Sequence, residues 1–172
     1  MITNIKLTTK EKFLLEDSKT HEQQCILKYE NYANLACDDQ LKAVFRSNGQ
    51  KEEEHLQTIN QLLSGKVPDM SQKGGQSGSG QQSGQTGKMP QSQQASIDQS
   101  SSGSTTFKTS DKDLCTDMLM TEKYVSGAYD TAIFEFKDAQ VRDVLNHIQK
   151  EEQKHGESIF AYMQSTGMYS PQ

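Results

Sequence analysis

Apolar residues along this chain recur at helical spacing in two separate stretches. The first opens at Thr8-Thr9-Lys10-Glu11, a Ser/Thr-x-x-Glu capping box, and its apolar positions continue to Ala36. Asp38 and Asp39 re-cap a second helix that runs to Ser64, where Gly65 and Pro68 stop it. The second stretch opens at Ser110-Asp111-Lys112-Asp113, continues to about Phe136, re-caps at Asp138 and runs to about Gly167. The pattern predicts four helices of roughly 26 residues, each about 39 Å long. Nothing reads as a strand. Read in alternating steps of three and four, the inward stripes are Leu15-Ser18-Glu22-Cys25-Tyr29-Tyr32-Ala36 and Leu41-Phe45-Asn48-Glu52-His55-Ile59-Leu62 in the first stretch. In the second they are Cys115-Met118-Glu122-Val125-Tyr129-Ala132-Phe136 and Val141-Leu145-Ile148-Glu152-His155-Ile159-Tyr162.

The two stretches are copies of one another. A shift of 100 residues aligns them without a gap and pairs Leu14 with Leu114, Glu22 with Glu122 and Tyr29 with Tyr129. Asp38 then meets Asp138, Glu52 meets Glu152 and His55 meets His155. The expected fold is therefore all-α: two duplicated antiparallel hairpins, residues 1–67 and 109–172, packed as one four-helix bundle.

Composition changes one thing. Apolar residues make up only 32% of the chain, low for a globular protein. The deficit is concentrated in residues 71–106, which hold 7 Gly, 10 Ser and 9 Gln. Such a segment cannot bury enough surface to offset its ordering entropy, so residues 68–108 read as a disordered crossover. Its r.m.s. span of roughly 35–40 Å matches the helix length. The third helix can then run beside the second in the same direction. The same looseness would let hairpins exchange between chains and give a homodimer.

Other classes are excluded. No apolar run is long enough to span a membrane, and the N-terminus lacks the apolar core of a secretory signal. A net charge of −5 without a basic patch argues against nucleic acid. Cys25, Cys37 and Cys115 form no Cys-x-x-Cys pair and read as buried small hydrophobes in a reducing cytoplasm.

The chemistry lies in the stripes. Each carries a carboxylate near its middle, and the second and fourth add a His three residues on, on the same face. A lone buried carboxylate costs several kcal/mol or takes up a proton, and four converging ones repel. Two divalent cations would neutralise them. One Glu from each of two helices plus Glu-x-x-His from each of the others is a dimetal carboxylate pattern. Its candidate ligands are Glu22, Glu52, His55, Glu122, Glu152 and His155. A single Glu-x-x-His would suit a solvated acidic face as well; two of them, each on an apolar stripe, carry more weight against a metal-free polar network. Mixed carboxylate and imidazole ligation without thiolate suits Fe or Mn over structural Zn or Ca. Tyr29 and Tyr129 follow Glu22 and Glu122 by two turns. They read as core aromatics or as donors to ligand carboxylates on the facing pair. Glu53 and Glu151 read as solvated, and His21 and His147 as surface residues.

These six positions resemble the ferritin-like superfamily. The C-terminal half is similar, more narrowly, to the Coat F domain of bacterial spore coat proteins, through DKDLCTDMLMTEKYVSGAYDTAI (111–133) and EEQKHGESIFAYMQSTGMY (151–169). Where family members often end in Gly-Trp-Tyr, this chain has Gly167-Met168-Tyr169. The resemblance implies a protein made in the mother-cell cytoplasm of an endospore former and deposited in the spore coat among other coat proteins. It also implies a second reading, a dimetal oxidoreductase acting on peroxide or oxygen, similar to manganese catalases and rubrerythrins. The Cys-x-x-Cys electron-transfer module of rubrerythrins is absent from this sequence.

Overall fold

The computed structural model describes residues 3–68 and 109–169. They form a four-helix bundle of α1 (Thr9–Leu35), α2 (Asp39–Leu63), α3 (Asp111–Glu135) and α4 (Ala139–Ser165). The reading of residues 69–108 as a disordered crossover lies outside the described residues.

Each helix starts where its cap dictates. Thr8 Oγ1 accepts from Glu11 N at 3.2 Å while Glu11 Oε2 accepts from Thr8 N at 2.7 Å, closing a capping box. Ser110 and Asp113 repeat that box at the start of α3. Asp38 and Asp138 accept the second and third N–H groups of α2 and α4. Gly167, with φ +72°, ends α4: Met168 N donates to Met163 O and Gly167 N to Gln164 O, the pairing that a left-handed residue after the helix permits.

One element departs from the all-helical expectation. Thr3–Asn4 (β1) and Lys66–Val67 (β2) form a two-residue antiparallel ladder, Thr3 opposite Val67 and Asn4 opposite Lys66. Gly65, at φ +80°, turns the chain into it. Its carbonyl accepts from Ile5 N at 2.8 Å, so the ladder ties the segment before α1 to the end of α2. Segments this short carry no periodicity by which a sequence could announce them.

α1 packs on α2 and α3 on α4, and the two hairpins meet through α1 against α3 and α2 against α4. α3 therefore runs in the direction of α2 but lies diagonally across from it, not beside it. The start of α1 meets the end of α3, and the start of α3 meets the α1–α2 turn. Two first-turn acids make these joints. Glu11 Oε1 accepts from Lys137 N at 3.1 Å, and Asp111 accepts from Cys37 N at 2.8 Å and Asp38 N at 3.0 Å. Glu11 and Asp111 are 100 residues apart, as are Cys37 and Lys137, so each repeat clamps the turn of the other. Near the Asp111 joint, Asp117 of α3 accepts from Lys28 Nζ at 2.6 Å and Tyr32 at 2.8 Å, bracing α1.

Tyr32 is thus half-buried, and Ala33 takes the inward place expected for it. Cys25 and Cys115 are buried as expected, but Cys37, in the α1–α2 turn, is exposed. The apolar core is in two parts. One surrounds Leu15, Ile59, Phe136 and Leu145; the other surrounds Phe45, Leu41, Met118 and Ile159. Glu22, Glu52, His55, Glu122, Glu152 and His155 form a buried polar layer between these two apolar ends.

Burial opposes ionisation of Glu11, but the N–H groups of Thr8 and Lys137 outweigh it and hold its carboxyl below the ordinary 4.5. A lowered folded-state value adds stability above the ordinary value, which is lost as pH falls through the folded one. Glu11→Ala should therefore lower the unfolding free energy by about 1–3 kcal/mol at pH 7. In urea melts run at successive pH values, the gap from wild type should narrow below pH 4.5. A gap unchanged in acid would contradict the clamp.

Candidate metal centre

All six expected ligands are brought together at mid-bundle: Glu22 from α1, Glu52 and His55 from α2, Glu122 from α3, and Glu152 and His155 from α4. None is more than 4% exposed. They group as two tetrads, Glu22-Glu52-His55-Glu152 and Glu52-Glu122-Glu152-His155, in each of which one ligand atom per residue lies within 4.8 Å of the others. Glu52 and Glu152 belong to both, so the two tetrads share an edge.

The arrangement has approximate two-fold symmetry. His55 Nδ1 lies 3.0 Å from Glu152 Oε1 and 3.6 Å from Glu22 Oε2; His155 Nδ1 lies 3.0 Å from Glu52 Oε1 and 3.7 Å from Glu122 Oε2. The imidazole rings stack with centroids 5.6 Å apart. Both Nδ1 atoms face inward, among the carboxylates.

The donor set suits dications. Glu22 Oε2, Glu52 Oε1, Glu122 Oε2 and both oxygens of Glu152 are buried without a hydrogen-bond partner, as is His155 Nδ1. Buried acceptors left in this state are costly and rare. They converge on one another and on the two inward Nδ1 atoms, where a cation, an imidazolium or a metal ion, can satisfy them. Carboxylate oxygen with imidazole nitrogen, and no thiolate, is the chemistry of hard-to-borderline transition-metal ions.

Without metal, protons do part of this work. Burial pushes the carboxyls of Glu22 and Glu122 up to about 8. Burial alone would discharge the imidazoles, but the carboxylates against them prevail, and His155 is raised to about 11. Burial would likewise raise Glu52, yet His155 and His55 hold it down to about 2. Burial, with the surrounding carboxylates, also pushes the Cys25 thiol up, so no thiolate competes at the site.

Both tyrosines reach across the bundle. Tyr29 donates to Glu122 Oε1 and Tyr129 to Glu22 Oε1. Asn48, a polar residue already visible on the inward stripe of α2, donates to the Tyr29 hydroxyl at 3.2 Å. Glu151 is a correction. It is not solvated: its Oε2 lies 2.9 Å from His55 Nε2 and 3.4 Å from His147 Nε2. It contacts the imidazole on the side away from the ligand nitrogen. His147 is accordingly half-buried, and so is His21, whose ring meets Tyr124 edge-on at 5.3 Å. His21 brings no ligand to the cluster, and Glu53 is exposed as expected.

Tyr129→Phe leaves Glu22 Oε1 without its donor and should cost about 1–3 kcal/mol in urea melts of the metal-free chain. Tyr29→Phe should cost more, because it strips a partner from Asn48 as well. Negligible losses would show that the hydroxyls do not hold the carboxylates, and equal losses that Asn48 adds nothing.

Residues 110–172 match the family described as Coat F domain. No curated protein and no solved structure matches the chain. The match begins at the Ser110 cap and takes in α3 and α4, with Glu122, Glu152 and His155 inside it. The resemblance seen in residues 111–133 and 151–169 therefore extends over the whole second hairpin, and it is to the Coat F domain that this half of the chain is similar.

Proposed function

We propose that this chain is a spore coat-associated protein whose ferritin-like bundle holds a dinuclear Fe or Mn centre. The observation that carries the metal reading is the pair of edge-sharing buried tetrads with unpartnered carboxylate oxygens. Glu22 and His55 would serve one ion, Glu122 and His155 the other, and Glu52 and Glu152 both. When bound, such ions supply Lewis acidity and one-electron chemistry toward dioxygen or peroxide. The chain's own residues orient and insulate. Tyr29 and Tyr129 each fix one oxygen of a terminal carboxylate and leave the other free. Glu151 fixes the tautomer of His55 by accepting from Nε2, so that Nδ1 keeps its lone pair for a ligand. The two apolar ends of the bundle flank the layer along the bundle axis.

Chain purified from iron- or manganese-supplemented culture should carry about two ions, and Glu52→Ala/His55→Ala should lose them, as counted by elemental analysis. Metal-free wild type with stability unchanged by added Fe or Mn would sink the reading. Peroxide consumption by the loaded form, absent from that double variant, would favour the oxidoreductase over a structural role.

The coat role rests on the Coat F match of residues 110–172, and its partners would be other coat proteins. Among the described residues no helix is long and apolar enough to cross a membrane, so membrane anchoring by such a helix is not invoked. A fluorescent fusion in sporulating cells should gather as a shell around the forespore. Diffuse fluorescence throughout sporulation would count against it.

A further inference from the structure

The surroundings of the centre are less symmetric than its ligands. Between α3 and α4 lies a groove of about 740 Å³, with Glu122 and Glu152 among its lining residues. These are two of the buried carboxylates with unpartnered oxygens. Its wall includes Ser126, Gly127 and Gly156. In the first repeat the equivalent positions are Ile26, Leu27 and Leu56.

Neither glycine is required by the backbone. Positive φ occurs, among the described glycines, only at Gly65 and Gly167. A Cβ built on Gly127 meets nothing within 4 Å, and on Gly156 only Leu119 Cδ2 at 3.9 Å. Gly49 differs: there a Cβ would press on Tyr29 Cβ at 3.1 Å, so close packing explains it. A glycine inside a helix costs about 1 kcal/mol relative to alanine. At 127 and 156 what that cost leaves is open space above Glu122 and Glu152.

The electrostatics of the space suit a cation. Asp130 and Glu157 are exposed acids on its flanks, Glu122 and Glu152 lie at its base, and Lys123 is the one basic residue lining it among the described residues. At about 30 Å³ per water the volume admits a fully hydrated ion with room to shed its shell. Carboxylates leading inward from solvent concentrate cations at such an opening.

We propose that this groove is the port through which hydrated divalent cations reach the centre, with Glu122 and Glu152 the carboxylates they meet first. The proposal rests on the dimetal reading above. It makes the second repeat the admitting side of the bundle, because Gly127 and Gly156 leave a groove down to the buried Glu122 and Glu152 at positions where the first repeat carries Leu27, itself half-exposed, and Leu56.

The test is the rate of Co²⁺ uptake by the metal-free full-length chain, followed by the visible absorption of bound Co²⁺ in stopped flow. Gly127→Leu/Gly156→Leu installs the residues of the first repeat and should slow uptake about tenfold or more. The number of ions bound at equilibrium should not change. Gly127→Ala/Gly156→Ala gains the same helix propensity without filling the space and should load within about twofold of wild type. Leucine variants that load at the wild-type rate, or alanine variants slowed as much as leucine ones, overturn the port. Should the leucine pair not fold, Asp130→Asn/Glu157→Gln decides. These positions are exposed, and uptake should fall several-fold at about 10 mM salt, with the difference gone near 0.5 M. Equal rates at low salt overturn the proposal. A wild-type chain that binds no Co²⁺ overturns the dimetal reading and the port together, whereas normal binding with unaltered rates overturns the port alone.

Discussion

Four carboxylates facing one another inside an apolar bundle are the constraint that the rest of this structure answers. Desolvation and mutual repulsion both oppose their ionisation, and each alone amounts to several kcal/mol. The fold answers with two imidazoles placed among them, two tyrosine hydroxyls that each hold one oxygen, and an apolar end on either side. The remaining oxygens lie 3.0–3.7 Å from an imidazole Nδ1 but complete no hydrogen bond. Protons can settle part of that charge, as the raised Glu22 and Glu122 and the protonated imidazoles indicate. Two dications would take all of it, and they would use the oxygens that the protein's own donors leave alone.

The duplication makes this layer cheap to build. A hairpin that carries Glu on one helix and Glu-x-x-His on the other supplies half a centre. Packing it on its copy about a two-fold axis completes both tetrads and makes Glu52 and Glu152 common to them. The same operation places Tyr29 on Glu122 and Tyr129 on Glu22, and sets Glu11 and Asp111 on each other's turns. Because every such contact joins one hairpin to the other, the layer holds the halves together as well as housing the chemistry.

Much of this was legible in the residues. Ser, Thr and Asp caps marked the helix starts to within a residue, since an N-cap is a local hydrogen-bond device. The ligand positions stood out because Glu and His on an otherwise apolar stripe need an explanation. Tyr32 falls off the inward stripe because strict alternation of three and four averages 3.5 residues per turn and drifts on a 3.6-residue helix. By the last turns of α1 the inward position has moved to Ala33. Glu151 was missed for another reason. Its partner His55 is 96 residues away, and only the packing of α2 on α4 decides which flank of the stripe is covered. The Glu11 and Asp111 joints left a trace in the 100-residue shift, acid for acid, but a search for identities passes over a Glu matched to an Asp.

What the repeats no longer share is as informative as what they keep. Glu151 faces His55 Nε2, while its counterpart Lys51 pairs with Glu54 on its own helix at 3.1 Å. Asn48 holds the Tyr29 hydroxyl, and the counterpart of Asn48 is Ile148, which cannot hold Tyr129 in that way. A carboxylate behind an imidazole fixes its tautomer and strengthens it as a ligand. The tetrad containing His55 therefore has the imidazole backed by a carboxylate, and the one containing His155 has the more firmly buttressed carboxylate, Glu122, held through Tyr29 and Asn48. The groove lies against that second tetrad's Glu122 and the shared Glu152. Two half-sites with matching candidate ligands but different backing are not equivalent, so the duplication has kept the six side chains while their surroundings have diverged.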